Sequence, residues 1–385
     1  MTDENEPRSP DTAEEVSAAE AVRKALFQRD LPFSEFMELS LYSPARGYYD
    51  RSIDPVSGRH DYITSVEISP VFAWALGRLA TEFVQRAGDG LCAIVDIGCG
   101  RGTMLRGIIE SMSPAERDRS LFWGVDRSLA RLDSALAERD DTHFTSDPAS
   151  LPWDVPLLVF SNELYDAFPF ARLVMHDGRL RELMVTLAGD DLGWSDRPAP
   201  EEYADYFARR GLQLEEGQYA DVSLAWERSY SAIASRIQRG MIVTIDYGAE
   251  ETKLFHPRFR RFGTAAAFSG HRVSRDLLQQ PGEQDLTAHI NFTDLRRAGE
   301  SCGLVTLLFT KQARFLLSLG ITGHPLFGGA GEGSGDGRAA LTDLDARRAA
   351  QRLILPDGIG EEMSVLVQST SDFAGVSWCF LRQMV

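Results

Sequence analysis

Asp96 stands two residues ahead of the first of three glycines set at every second position, Gly98, Gly100 and Gly102, in the run VDIGCGRG. Glycine accepts left-handed backbone angles and lets the main chain approach a ligand closely, so such a cluster marks a turn pressed against something. A dinucleotide fingerprint would read G-x-G-x-x-G and set a pyrophosphate at a helix N-terminus. Here the third glycine comes one residue early, and a carboxylate facing the turn is a poor neighbour for pyrophosphate. It is a good neighbour for the ammonium of an amino-acid moiety. Asp126 closes the next apolar run, where a carboxylate accepts hydrogen bonds from both hydroxyls of a ribose, and Asp147 closes the one after, beside the place of an adenine ring. Amino acid, ribose and adenine together point to S-adenosylmethionine; an ordinary tight turn between strand and helix is the competing structural reading.

A second group of acids lies in SNELYDAFP, residues 161–169. Carboxylates buried at a strand end are costly unless paired or hydrogen-bonded, and this strand end opens onto the same crevice. Glu163 and Asp166 are therefore the candidate catalytic acids, with Asn162 grouped with the cofactor residues. Capping of a following helix is the rival role for Asp166. Glu67 is a third, more speculative acid, in the stretch DYITSVE that leads into a helix beginning at Ser69-Pro70.

These residues need a scaffold that brings strand ends together. From residue 91 apolar runs alternate with helical patterns: strands at 91–98, 121–128, 143–147 and 156–163, helices at 103–112 and 129–139. Such alternation builds a doubly wound, mostly parallel sheet of the Rossmann-like α/β class. The rhythm then breaks into two strands about Asp177-Gly178 and polar, helical material up to Arg239. Core strands resume at 241–248, and 304–312 and 377–383 are the runs available to close the sheet. The expected organisation is an acidic tail over 1–20, a helical and lid region over 21–88, a cofactor-binding core over 89–170, an inserted subdomain over 171–240, and a C-terminal half over 241–385 with a flexible Gly-rich loop at 328–337.

Composition excludes several partners. The chain has 385 residues, 43% of them hydrophobic, and a formal net charge of −17. Nucleic-acid binding leans on Lys and Arg, so a basic partner is favoured over a polyanion. The first twenty residues carry seven acids against one arginine, which is neither a secretory signal nor a transit peptide. No run of about 18 apolar residues calls for a membrane. The four cysteines form no C-x-x-C pair, so neither a metal site nor a disulfide framework is expected, and a reducing bacterial cytoplasm fits.

Seven stretches in order, YSPARGYY, DYITSVEISPVF, DIGCGRGTML, NELYDAFPFARLV, VTIDYG, PGEQDLTAHINFTDL and KQARFLLSLGI, resemble the MidA family over about residues 32–383. The resemblance implies a class I methyltransferase fold, S-adenosylmethionine as cofactor, and a protein arginine as methyl acceptor. This chain has Asp96-Ile97-Gly98-Cys99-Gly100 where the family usually has Glu-Leu-Gly-Pro-Gly, Val66 where it tends to have Pro, Ala265-Ala266 where it tends to have Leu-Arg, and Asn291 where it sometimes has Asp. The missing arginine leaves a small-molecule methyltransferase and a cofactor-binding assembly factor without turnover as alternatives. A dinucleotide oxidoreductase is disfavoured by the glycine spacing.

Overall fold

Residues 92–97 carry apolar side chains on both strand faces up to Asp96, the pattern of a strand covered by helices above and below. In the computed structural model, which describes residues 17–44, 47–49, 64–270, 272–327 and 337–382, this run is β1 (Cys92–Ile97). It lies in the middle of an eight-stranded sheet. β2 (Ser120–Val125), β3 (Thr142–Thr145), β4 (Leu157–Asn162) and β5 (Gly240–Ala249) run parallel to it. β6 (Val305–Lys311) and β7 (Met363–Ser369) complete the order β3-β2-β1-β4-β5-β7-β6, with β7 antiparallel to both neighbours. Beyond the end of β4 the short strand Ile290–Asn291 takes its place beside β5, Ile290 opposite Gly248.

The strand between β5 and β6 is the one the sequence hides. All seven residues of β7 are buried, but Ser364, Gln368 and Ser369 break its apolar pattern. Gln368 is fully satisfied, donating to Arg296 O (3.0 Å) and Thr306 Oγ1 (2.9 Å) and accepting from Tyr230 Oη (2.7 Å). Of residues 377–383, expected as a strand, the described ones (377–382) instead bury Trp378 against Phe83 and turn into the short helix Cys379–Arg382. The helix expected over 129–139 shrinks to Ser134–Ala137, because Asp133 caps it through Ala135 N (2.9 Å).

Near the N-terminus, Ser17 and Glu20 form a capping box that starts α1 (Ala18–Leu26), so the acidic opening already becomes helical there; residues 1–16 lie outside the described residues. α2 (Phe33–Tyr42) follows the break at Pro32. α1 and α2 pack on a second sheet, in which Ala171–His176 and Arg179–Ala188 pair about the turn at Asp177 (φ 50°) and Gly178 (φ 67°), as expected. Asp191–Pro198, Tyr219–Val222 and Leu31–Pro32 extend that sheet. A third sheet of three short strands, with Ala266–Ser269 between Arg272–Ser274 and Asp285–Thr287, joins the same apolar cluster through Ala265, Ala267 and Leu286.

α4 (Val71–Arg86) presents Phe72, Leu76, Leu79 and Phe83 to the main core, as the periodicity predicts. Of the stretch DYITSVE (61–67), expected as an extended lead-in, residues 61–63 lie outside the described residues and the rest is not extended. Thr64 opens α3 (Ser65–Ile68), the chain straightens at Ser69 (φ −159°), and Pro70 falls between two helices rather than inside one. The sequence reads either as a helix opened by a Thr64–Glu67 capping box or as one starting at Ser69-Pro70, and the two are compatible, since the break at Ser69 keeps the proline out of a helix interior, where it would cost about 3 kcal/mol. The Gly-rich loop falls outside the described residues over 328–336, and Gly337 opens a helix that runs to Arg352. None of the described helices is long and apolar enough to cross a membrane.

Candidate active site

β1 ends in a turn whose glycines do three different things. Gly98, Gly100 and Gly102 all have positive φ (79°, 51° and 76°), angles that other residues adopt only with strain. A Cβ on Gly98 would stand 2.8 Å from Leu164 Cδ1, whereas one on Gly100 would meet nothing within 4 Å. Gly100 thus faces open space. Gly102 does not line that space; it begins α5 (Thr103–Ser111) under Leu136.

Asp126, at the end of β2, locks the turn. Its Oδ2 accepts from Gly100 N–H (2.8 Å) and its Oδ1 from Ser128 N–H (3.0 Å). Beside it Asp96 is only 2% exposed, with no cation at ion-pair distance among the described residues. Burial, and then the charge of Asp126, push its carboxyl up to about 8. A carboxylate in that position is short of a cation.

The turn opens into a cavity of about 650 Å³ whose wall includes Asp96, Asp126, Asn162, Glu163, Asp166 and Asp285. Glu163 takes the left-handed angle φ 51° directly after β4. Its Oε1 accepts from Ser65 N–H (2.9 Å) at the start of α3 and from Asn162 Nδ2 (3.1 Å). Asn162 Oδ1 is buried with no hydrogen-bond partner among the described residues. No helix follows Asp166, so it caps none. Its carboxyl is held well above the usual carboxylate range by burial first and then by the charges of Asp246, Glu163 and Asp285.

Two predicted residues play smaller parts. Asp147 is exposed and spends its carboxylate on Ala149 N–H (2.9 Å), capping the turn Pro148–Ser150; Ser146 and Pro148, not Asp147, border the cavity. Glu67 does reach the cavity wall, but its carboxylate turns back to Thr64 N–H at 3.4 Å instead of standing clear for other work.

The acids that sequence reasoning passes over are Asp246 and Asp285. Asp246, wholly buried on β5, accepts from Leu164 N–H (3.2 Å), Tyr165 N–H (2.9 Å) and Tyr247 N–H (2.8 Å), and so holds the bend in which Glu163 sits. Asp285 accepts from Tyr49 Oη (2.7 Å). Tyr49 stacks on Tyr42 at 5.5 Å, and Tyr42 donates to Ala167 O (2.8 Å), so tyrosines wall the acid end of the cavity. The signal was present in the clusters GYY, VTIDYG and GEQDLT, but no local spacing links them.

A mostly parallel sheet in the order β3-β2-β1-β4-β5-β7-β6, a glycine turn pinned by the acid of the next strand, and an acid-lined cavity at the strands' carboxyl ends define a Rossmann-like S-adenosylmethionine-dependent methyltransferase. Residues 75–310 match the family described as putative S-adenosyl-L-methionine-dependent methyltransferase, and the chain belongs to that family, the MidA group. It is similar to a candidate methyl transferase from Burkholderia thailandensis solved with S-adenosyl-homocysteine, at 27% identity and a TM-score of 0.77 over 95% of this chain and 98% of that one. Among curated proteins it is 29% identical over 321 residues to the mitochondrial protein arginine methyltransferase NDUFAF7 homolog of Drosophila melanogaster, covering 73% of this chain and 69% of that protein. The mitochondrial protein arginine methyltransferase NDUFAF7 of Mus musculus is 26% identical over 320 residues, covering 75% and 70%.

The residues present fit the cofactor. Open space at Gly100, the buried carbonyl of Asn162 that lacks a donor, and the cation-short Asp96 supply what a zwitterionic amino acid joined to a nucleoside requires. Asp96 would hold the ammonium, Asn162 Oδ1 would accept from it, and Asp126 would receive the ribose hydroxyls.

Proposed function

We propose that the chain methylates an arginine side chain of a protein. The observation that carries this reading is the placement of three carboxylates, Glu163, Asp166 and Asp285, on one wall of the cavity beside the glycine turn, with tyrosine rings next to them. A cation with several N–H donors satisfies such a wall; a neutral acceptor does not. The curated relatives named as protein arginine methyltransferases support the same assignment.

The cofactor supplies an electrophilic methyl group on a sulfonium. The protein's task is alignment and proton handling. A guanidinium with a pKa of about 13.8 is not deprotonated beforehand at pH 7, since that would cost roughly 9 kcal/mol. Glu163, fixed by Ser65 and Asn162, receives two N–H groups of the guanidinium and aims a third nitrogen at the methyl group. Asp166 is held toward its neutral form by burial and its acidic neighbours. An arriving cation reverses that balance, because an opposite charge favours the carboxylate. The wall of carboxylates would take the one proton that the nitrogen sheds as it gains the methyl group, the electron pair of the broken S–CH3 bond staying on sulfur as a neutral thioether.

The test is incubation of purified enzyme with methyl-labelled S-adenosylmethionine and a cell extract, followed by mass spectrometry of the labelled species. Label on a protein arginine supports the reading. Label on a metabolite moves it to a small-molecule methyltransferase, and no label in any extract moves it to a cofactor-binding assembly factor.

A further inference from the structure

A second charged assembly lies outside the cavity and has the opposite sign. Several arginines of this acidic chain face acids: Arg29–Glu35, Arg106–Asp133, Arg172–Asp221, Arg210–Asp294 and Arg239–Asp372 are ion pairs. Arg260, Arg275 and Lys311 are not so paired among the described residues. Arg275 spends one N–H on Ala265 O (3.1 Å), and Lys311 Nζ reaches only Glu362 O (3.2 Å) and Ser364 Oγ (3.3 Å).

Strand register explains why they meet. Tyr247, at the end of β5, lies opposite Met363, and the next residue of β7, Ser364, lies opposite Lys311. On the other side of β5, Gly248 is opposite Ile290, which sets His289 beside Tyr247 with ring centroids 6.0 Å apart. His289 backbone N–H donates to Thr264 Oγ1 (3.1 Å), next to the Ala265 carbonyl that Arg275 holds (3.1 Å), and burial first and then the charges of Arg260, Lys311 and Arg275 push its imidazole down to about 3, so it remains neutral. Arg260 is half-buried and repelled by Arg275, and Lys311 by Lys253 and Arg260, with Glu361 and Glu362 the acids that offset it. In a chain with 57 acidic and 40 basic residues, grouping cations around a neutral imidazole leaves repulsion that an anion would relieve.

We propose that Arg260, Arg275 and Lys311, gathered about His289 at the carboxyl end of β5, form an anion site that receives aspartate or glutamate side chains flanking the methylated residue of the acceptor protein. The proposal rests on the protein-acceptor reading. The site shares its chain with the acid cavity: Asp285, four residues before His289, lines the cavity, and Ala288 N–H donates to Asp166 O at 3.0 Å. A peptide advances about 3.3 Å per residue when extended, so one short segment can put a cation against Asp285 and an anion against Arg260. A nucleic acid is disfavoured as the occupant, because the net charge of −17 repels a long polyanion.

The test uses the full chain saturated with S-adenosyl-homocysteine and two fluorescein-labelled peptides without arginine, one alternating Gly and Asp, the other Gly and Asn. Fluorescence anisotropy at low salt should show the Asp peptide bound at least about tenfold more tightly than the Asn peptide, with the preference shrinking as salt rises. In R260A/R275A the preference should fall to within about twofold while S-adenosyl-homocysteine affinity stays unchanged. Equal binding of both peptides by the native chain overturns the proposal, whatever the variant does. A preference that survives in the folded double variant, or that inorganic phosphate or a single-stranded oligonucleotide exceeds at the same residues, overturns it too. Because neither peptide carries an arginine, the result is independent of whether labelled methyl reaches an arginine in cell extract.

Discussion

Ser65 donates its backbone N–H to Glu163 Oε1 at 2.9 Å, tying the short helix before α4 to the acid at the end of β4 across 98 positions of sequence. Glu163 is thereby oriented from outside its own strand. Substituting Glu163→Gln keeps an oxygen for Ser65 but removes the charge that, in the proposed function, would grip a guanidinium and take its proton. Methyl transfer to the labelled protein should fall at least about 100-fold, while calorimetry should find cofactor affinity within about threefold of native. Loss of cofactor binding instead would place Glu163 against the cofactor.

The same contact makes α3 a reporter of the cavity. If S-adenosyl-homocysteine fills the space between the glycine turn and Glu163, opening of Thr64–Ile68 is suppressed and their amides exchange more slowly. Hydrogen-exchange mass spectrometry with and without the ligand checks this. Unchanged exchange would reduce Glu67 and its short helix to a structural role.

Asp126 pins Gly100 and would also receive the ribose of a bound cofactor. Asp126→Ala should therefore cost more than a lost ligand contact: about 2 to 3 kcal/mol in cofactor binding, with the released Gly100 amide adding to it. Calorimetric titration with S-adenosyl-homocysteine measures the loss, and native affinity in the variant would remove Asp126 from the site.

Asp96 predicts a pH dependence with a definite sign. Its carboxyl is raised to about 8 in the ligand-free protein, by burial and then by Asp126. A cationic ammonium binds the ionised form, so affinity for S-adenosyl-homocysteine should rise from pH 6 to pH 8, by up to about tenfold per unit. Because the folded-state value lies above the unfolded one, stability contributed by the neutral form is complete below about pH 4 and is lost as pH rises through about 8. Asp166 and Asp246 are raised in the same direction and act with it. Asp96→Asn should flatten the binding profile; an equally steep profile in that variant would assign the titration to another group.

Asp246 holds three backbone amides with one carboxylate. Removing it in Asp246→Ala leaves buried N–H groups unmet, each costing about 1 to 3 kcal/mol. The denaturation midpoint should drop clearly, and methyl transfer should fail at temperatures where the variant is still folded, since Glu163 loses the bend that supports φ 51°. A variant that keeps both native stability and native transfer would show that the bend holds itself.

The sequence by itself determined the features that local chemistry sets. Alternating apolar runs and helical patterns gave β1 to β5, because a strand buried on both faces and a one-sided helix leave different periods. Gly98 and Gly100 announced the turn, as few other residues take those angles, and Asp96, Asp126 and Glu163 were legible because a charge at the end of an apolar strand is rarely accidental. The tertiary structure alone decided what depends on partners far along the chain. β7 was hidden because Gln368 looks polar until Tyr230, Arg296 and Thr306 satisfy it. Asp285 and Tyr49 are separated by 236 positions and meet only when the third sheet folds against the N-terminal helices. Asp147 and Glu67 went the other way: both had the right type and position, but nearby backbone N–H groups engaged their carboxylates, a competition between short-range donors and a distant ligand that spacing does not reveal.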